Sequence, residues 1–275
     1  DVWSDVLTDY ENEFEMDQII IKTFEEIDNR LFQHLLNEQE TDYNQDGTTA
    51  VILFKDQKNN QLYIANLGDS RCLIMQGNKK IFMTTDHKPD NEKEKERILA
   101  AGGKISGDGR ILGTLNVSRS FGDFCLKQRG QVSKYFGLNK RHVKEEKHPE
   151  TGEIINDPIE MIEKSEKPMF AADLVSIEPE ITVLRNNEHF DNSKEPLVIL
   201  LACDGVFDVF KTDDQIQYLI DFINQEMKIK IYDQTILQKY GEEVAVLNRA
   251  ARKVMHESFD RDSSDNISVL MTLFG

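Results

Sequence analysis

Three aspartates stand where an acid needs company. In "PLVILLACDGVFDVF", residues 196–210, an apolar run from Leu197 to Cys203 leads straight into Asp204-Gly205. A continuous Val/Ile/Leu-rich run of this length reads as a strand buried on both faces, which puts Asp204 at the rim of a core. A carboxylate there loses solvation unless it meets a cation, hydrogen-bond donors or open water. Asp69, in "LGDSR", follows another strand-like run, and Asp265, in "SSDN", precedes the last one. If those strand ends meet at one edge, the acids repel one another unless cations lie between them. Oxygen ligands without histidine or thiolate favour Mg²⁺ or Mn²⁺ over zinc or copper. Each stretch also has a plainer reading. Asp-Gly is a hairpin dipeptide, with "VFDVF" as the returning strand, "GDS" is a turn, and "SSDN" is a polar loop.

The elements that must position these acids are legible as periodicities. Ile20, Phe24, Ile27, Leu31 and Leu35 recur at helical spacing over residues 17–36. Short strand-like runs follow at 48–54, 61–66, 71–75 and 80–85, separated by turn-forming clusters, and this spacing predicts an antiparallel meander. A short helix over 90–103 stops at Gly102-Gly103. Thr212 and Gln215 form a capping-box pattern ahead of Ile216, Leu219, Ile220 and Ile223. A further helix is expected over 242–257, with Val244, Leu247, Ala251 and Val254 in register, and the chain closes on a strand. Strands and helices in separate blocks favour an α+β layered fold. Residues 124–174 differ. They are charged, carry three prolines in "KRHVKEEKHPETGEIINDPIEMIEKSEKP" and read as a surface excursion.

Composition narrows the function. Against 33 basic residues stand 50 acidic ones, a net charge of −17, which repels phosphate backbones and argues against nucleic acid as a partner. No window is apolar enough to insert in a membrane, and the first residues lack the basic start and apolar stretch of a secretory signal. A cytoplasmic protein is expected, with the nucleus or a larger intracellular assembly as alternatives. The three cysteines, Cys72, Cys125 and Cys203, form neither a disulfide framework nor a zinc knuckle. Cys203 is expected to be a core thiol.

Beyond single residues, the series "DGTTAV", "YIANLGDSR", "TTDHKP", "EKERILAAGGKI", "GTLNVSRSFGD", "VSIEPEI", "LLACDGVFDV" and "SSDNISVL" resembles, in order, the motifs of PPM-type (type 2C) metal-dependent serine/threonine protein phosphatases. The resemblance implies one domain over residues 1–275, folded as a four-layer α/β/β/α sandwich of two antiparallel sheets flanked by helices. It implies hydrolysis of phosphoserine and phosphothreonine in phosphoprotein substrates by a water that two Mg²⁺ or Mn²⁺ ions, about 4 Å apart, would activate. By the same resemblance Asp204 and Asp265 match ligands of the first metal, and Asp69 a ligand of a third, weaker one. Arg71 and Arg119 are expected to pair with buried acids, and Asp123 to be structural. The 124–174 stretch falls where the family carries its flap, and is expected to recruit a substrate or dock a protein partner.

Two rival phosphatase chemistries fail on the letters. Six positions after the cysteines, where a cysteine nucleophile needs an arginine, stand Asn78, Gln131 and Val209. Ala202 occupies the place of the first aspartate in the D-x-D-G pattern of an aspartyl-phosphate enzyme. The family pattern also opens with an early arginine and glutamate and a "DGHGG" motif whose aspartate bridges both metals. No "DGH" occurs here. The stretch alone is therefore expected to be inactive. Either the motif lies upstream, or the protein is an inactive pseudophosphatase serving as a scaffold.

Overall fold

The computed structural model describes residues 15–38, 46–128, 146–147, 154–156, 170–191, 193 and 195–275. In chain order the elements are α1 (Met16–Glu38), β1 (Gly47–Thr48), β2 (Ala50–Asp56), β3 (Gln61–Leu67), β4 (Arg71–Gln76), β5 (Lys79–Met83), α2 (Glu92–Ala100), β6 (Phe121–Gly122), β7 (Glu146–Lys147), β8 (Ile154–Asn156), β9 (Glu180–Arg185), β10 (Leu197–Ala202), α3 (Asp204–Phe207), α4 (Asp213–Met227), α5 (Gln234–Asp260) and β11 (Val269–Phe274). Apart from the short β7–β8 pair, the 124–174 excursion lies largely outside the described residues. The described residues fall into two compact units, one within the ranges up to Ala50 and His87–Pro179, the other Val51–Asp86 with Glu180–Gly275.

In the second unit β10 is the central strand of an antiparallel sheet ordered β11-β10-β4-β5, paired along its whole length with both neighbours. Its side chains alternate between two cores, as a pleated strand requires. Leu197 and Ile199 join Leu62 and Ile64 of β3 and Leu184 of β9 beneath a three-stranded sheet ordered β2-β3-β9. Val198, Leu200 and Ala202 face the other way, onto Ile216, Leu219, Ile220 and Ile223 of α4 and Val254 of α5. Burial on both faces explains why the run carries no polar residue. Each large side chain so buried contributes roughly 1.5–3 kcal/mol. Three layers of the expected sandwich, sheet on sheet on helices, are thus present in this unit.

The single meander expected from strand spacing is not what forms. β3 pairs with β9, β4 pairs with β10, and the chain changes sheet between them at Gly68-Asp69. Gly68 has φ of 106°, open to glycine with little strain, and the Asn66 side-chain amide braces the corner by donating to the Thr85 carbonyl at 3.1 Å. Spacing marks strands and turns but not the partner each strand takes.

α4 starts as its sequence predicts. The Gln215 amide donates to Thr212 Oγ1 at 3.3 Å and the Thr212 amide to Gln215 Oε1 at 3.0 Å, closing both halves of the capping box. α5 departs from expectation in extent and face. It begins at Gln234, capped by Asp233, bends at Gly241 (φ 86°, ψ 175°), and buries Ala245, Leu247, Ala250 and Val254, while Val244 is exposed.

In the first unit α1 packs on β6, the partner of β1, while Ile98 of α2 joins Ile111, Leu126, Leu174 and Val175 in a core of its own. Phe24 packs on Phe121 with the rings tilted by 30° and their centroids 5.1 Å apart, and Phe32 meets Phe124 edge-on at 5.0 Å. Glu94 of α2, almost wholly buried, takes a hydrogen bond from Arg119 at 2.6 Å and one from Arg97 at 3.0 Å. Asp123 accepts the Ser120 hydroxyl and holds a left-handed backbone.

Candidate active site

One edge of the four-stranded sheet gathers three chain segments. Ala202 of β10 lies opposite Arg71 of β4 on one side and Val269 of β11 on the other. The residues before β4, after β10 and before β11 therefore emerge together. Asp69, Asp204 and Asp265 belong to those three segments.

Asp204 does not begin a hairpin. It opens α3, a single helical turn whose Asp208 amide donates to the Asp204 carbonyl at 2.7 Å. Val206, Phe207 and Phe210 are buried in the helix-side core, an arrangement that a returning strand with alternating exposure would break. The tightest approach is Gly205 against the 265–266 segment. A β-carbon on Gly205 would collide with the Asn266 carbonyl oxygen, and would stand 3.5 Å from Asp265 Cβ. Ser263 Oγ donates to the Gly205 carbonyl at 2.6 Å. Cys203 ties the same segments: its amide donates to the Ser268 carbonyl at 3.2 Å, its thiol donates to the Asn266 carbonyl at 3.1 Å, and its sulfur accepts from the Ser268 amide at 3.2 Å. It is a half-buried bridge between strand ends rather than the expected core thiol. Burial pushes the Cys72 thiol up to about 12 and that of Cys125 up to about 11, so neither supplies a thiolate at neutral pH.

Of the three acids, Asp69 is buried, Asp204 half-buried and Asp265 exposed, with Asp265 Oδ1 accepting from the Asn266 amide at 2.6 Å. Arg71 stands within the field of one of them, Asp69. Its guanidinium makes a two-pronged bond to Asp86, with Nη2 to Oδ2 at 2.8 Å, and lies 5.2 Å from the centre of the Phe207 ring. Burial opposes its charge, but Asp86, Asp208 and Asp69 together outweigh burial and hold the guanidinium above its ordinary pKa. Arg71 and Arg119 thus both pair with acids, as the sequence suggests. Asp86 and Asp208 were not among the candidates. The 204/208 spacing becomes informative only once the turn after β10 is known to be helical.

The donors at this edge are oxygens, which suits a hard divalent cation in kind. Among the described residues, however, no group of three or more His, Cys, Asp or Glu lies close enough to hold a metal ion. Water or residues outside the described ones would have to complete the shell of an ion bound beside Asp204 and Asp265.

A profile of the family described as Protein phosphatase 2C matches residues 5–267. The chain belongs to the protein phosphatase 2C family. It is 31% identical over 227 residues to Probable protein phosphatase 2C 21 of Arabidopsis thaliana, an alignment covering 82% of this chain and 47% of that one. It is likewise 31% identical over 179 residues to Protein phosphatase 1G of Homo sapiens, covering 65% of this chain and 25% of the relative. The chain thus spans half or less of the length of these relatives. Among solved structures, a C. elegans sex determining protein superposes with a TM-score of 0.62 at 22% identity, covering 99% of this chain and 50% of that one. A serine-threonine phosphatase 2C from Toxoplasma gondii does so with 0.55 at 18% identity, covering 100% and 75%. Likeness at these identities establishes a shared fold, and the α+β architecture with antiparallel sheets is that of the protein phosphatase 2C family. No helix among the described residues is long and apolar enough to cross a membrane.

Proposed function

We propose that the complete protein is a serine/threonine protein phosphatase whose divalent-cation centre, Mg²⁺ or Mn²⁺, draws Asp204 and Asp265 from this chain, with Asp69 at a third, weaker position. The observation that carries this reading is the close seating of Gly205 on the Asp265-Asn266 segment, because it brings the segments bearing two candidate ligands side by side. When bound, such cations lower the pKa of a water and offset charge on the phosphoryl oxygens. This chain's own contribution is positional. β10 and the first turn of α3 hold Asp204, the Asn266 amide orients Asp265, and the Arg71–Asp86 pair stiffens the start of β4 two residues after Asp69.

A second reading, a catalytically silent scaffold, draws on the lack of a three-ligand group among the described residues. A manganese-dependent assay of the complete protein on a phosphoserine protein separates the two. Activity that falls by more than an order of magnitude in both Asp204→Asn and Asp265→Asn supports the phosphatase reading. Activity indifferent to both substitutions removes these residues from the chemistry, and a complete protein inert with either metal favours the scaffold.

A further inference from the structure

Away from the sheet edge, the second unit carries a cavity of about 350 Å³ between the chain entering α5 and the helix itself. Its walls are Ile231, Tyr232 and Asp233 on one side, and Ala245, Asn248, Arg249, Arg252, Lys253 and His256 on the other. Arg249, Arg252, Lys253 and His256 are spaced i, i+3, i+4 and i+7, so one face of α5 presents three cationic side chains and an imidazole together. None of the acids at the Ala202 edge lines this cavity.

The charges there are only partly answered. Arg249 gives one Nη to Glu226 at 2.7 Å, while its Nε is buried with no hydrogen-bond partner among the described residues. Arg252, Lys253 and His256 are exposed and make no ion pair with a described residue. The acid in the wall, Asp233, is committed to capping α5, accepting from the Thr235 and Ile236 amides at 2.9 and 3.3 Å. The Tyr232 hydroxyl donates to Glu242. In a chain of net charge −17, Arg252 and Lys253 stand side by side on an exposed face of α5 with no ion-pair partner among the described residues, and such a pair asks for an anion even with the Asp233 carboxylate in the opposite wall.

We infer that this cavity binds a phosphoryl dianion, carried on a phosphorylated protein side chain or as free phosphate. Guanidinium groups meet phosphate oxygens through paired N–H donors, and a lysine and an amide add single ones, so Arg252, Lys253 and Asn248 in the wall supply the donor types that a tetrahedral dianion takes. The size of the cavity suits one such group with its adjoining atoms. The acidity of the surrounding chain disfavours an extended polyanion such as a membrane surface. Ile231, 69% exposed at the rim, offers an apolar contact for a residue beside a phosphorylated one. This binding requires no chemistry at the Ala202 edge.

The test titrates the complete protein with inorganic phosphate, in EDTA so that no cation recruits the ion elsewhere, and follows the side-chain NMR signals of His256 and Asn248. Saturable shifts are expected. Arg252→Gln/Lys253→Gln, both at exposed positions where folding is undisturbed, should weaken binding about ten-fold or more, since each lost charge-assisted hydrogen bond counts separately. Asn248→Ala should weaken it less. A phosphoserine peptide that binds more tightly than phosphate, while its unphosphorylated form does not bind, would assign the site to a protein partner; equal affinity for phosphate and phosphopeptide would assign it to the free ion. Shifts no larger than chloride produces, shifts unchanged in the double variant, or binding confined to phosphoinositide vesicles would overturn the inference. A protein lacking all phosphatase activity leaves each of these outcomes readable.

Discussion

Lys127 Nζ stands 3.0 Å from Asp28 Oδ2, and neither side chain exposes any surface to solvent. The pair also satisfies its surroundings, with Asp28 accepting the Gly122 amide at 2.8 Å and Lys127 donating to the Ser120 carbonyl at 2.9 Å. A buried ion pair adds little over well-packed apolar residues, but breaking one strands a charge at a cost of about 3–5 kcal/mol.

Lys127→Met is accordingly expected to destabilise the protein by about 3–5 kcal/mol in urea unfolding, and the double variant Asp28→Asn/Lys127→Met by clearly less than the sum of the single ones. Strict additivity would mean that the two groups do not hold each other.

Gly205→Ala should disturb the sheet edge directly. Its new methyl group meets backbone at Asn266 rather than a flexible side chain, so a loss of about 1–3 kcal/mol is expected, together with weaker manganese activation of the complete protein. Gly241→Ala is the control. No atom beyond its own stretch of chain lies within 4 Å of a β-carbon there, so only the backbone, at φ 86° and ψ 175° in a region open essentially to glycine, opposes it, by about 1–3 kcal/mol, and manganese activation should not change. Equal effects of the two on manganese activation would disconnect Gly205 from the candidate centre.

Glu94 links stability to acid. Burial pushes its pKa up, but the hydrogen bonds from Arg119 and Arg97 outweigh burial and hold it at about 2 rather than 4.5. Because the folded value is the lower one, the stabilisation is complete above pH 4.5 and is lost as pH falls toward 2, on the order of 2 kcal/mol in all. Glu94→Gln should therefore be less stable at neutral pH and show a flatter decline of Tm between those limits. Parallel Tm curves for the two proteins would contradict this.

Thr212→Ala removes both halves of the α4 cap, since Gln215 loses the partner that orients it. A loss of about 1 kcal/mol is expected, recovered in large part by Thr212→Ser. Failure of serine to restore stability would place the effect elsewhere than the hydroxyl.

Features with a local physical cause were legible from residues alone. The apolar run at Leu197 announced a doubly buried strand, Thr212 and Gln215 announced their cap, and the helix ending near Leu35 was visible in its spacing. What depends on partners was not. Nothing in "LGDSR" says that the chain leaves one sheet for another at Asp69, and an Asp-Gly pair serves a hairpin or a helical turn equally well until Val206 and Phe207 are seen in the core. Asp28 sits on the buried face of α1 and Lys127 in a stretch read as surface. Neither position carries a local signal, because each is tolerable only in the presence of the other. At the candidate site, the letters indicated which strand ends to compare, while the register of β10 against β4 and β11 had to come from the fold.

That register has a bearing on how the protein fails. Every residue of β10 is paired on both sides, so its amides should be among the slowest to exchange with deuterium, opening only when the whole unit does. Asp204 follows this strand with one residue between. Fraying of loops or ends should leave its neighbourhood intact, and loss of function under denaturant should coincide with cooperative melting rather than precede it.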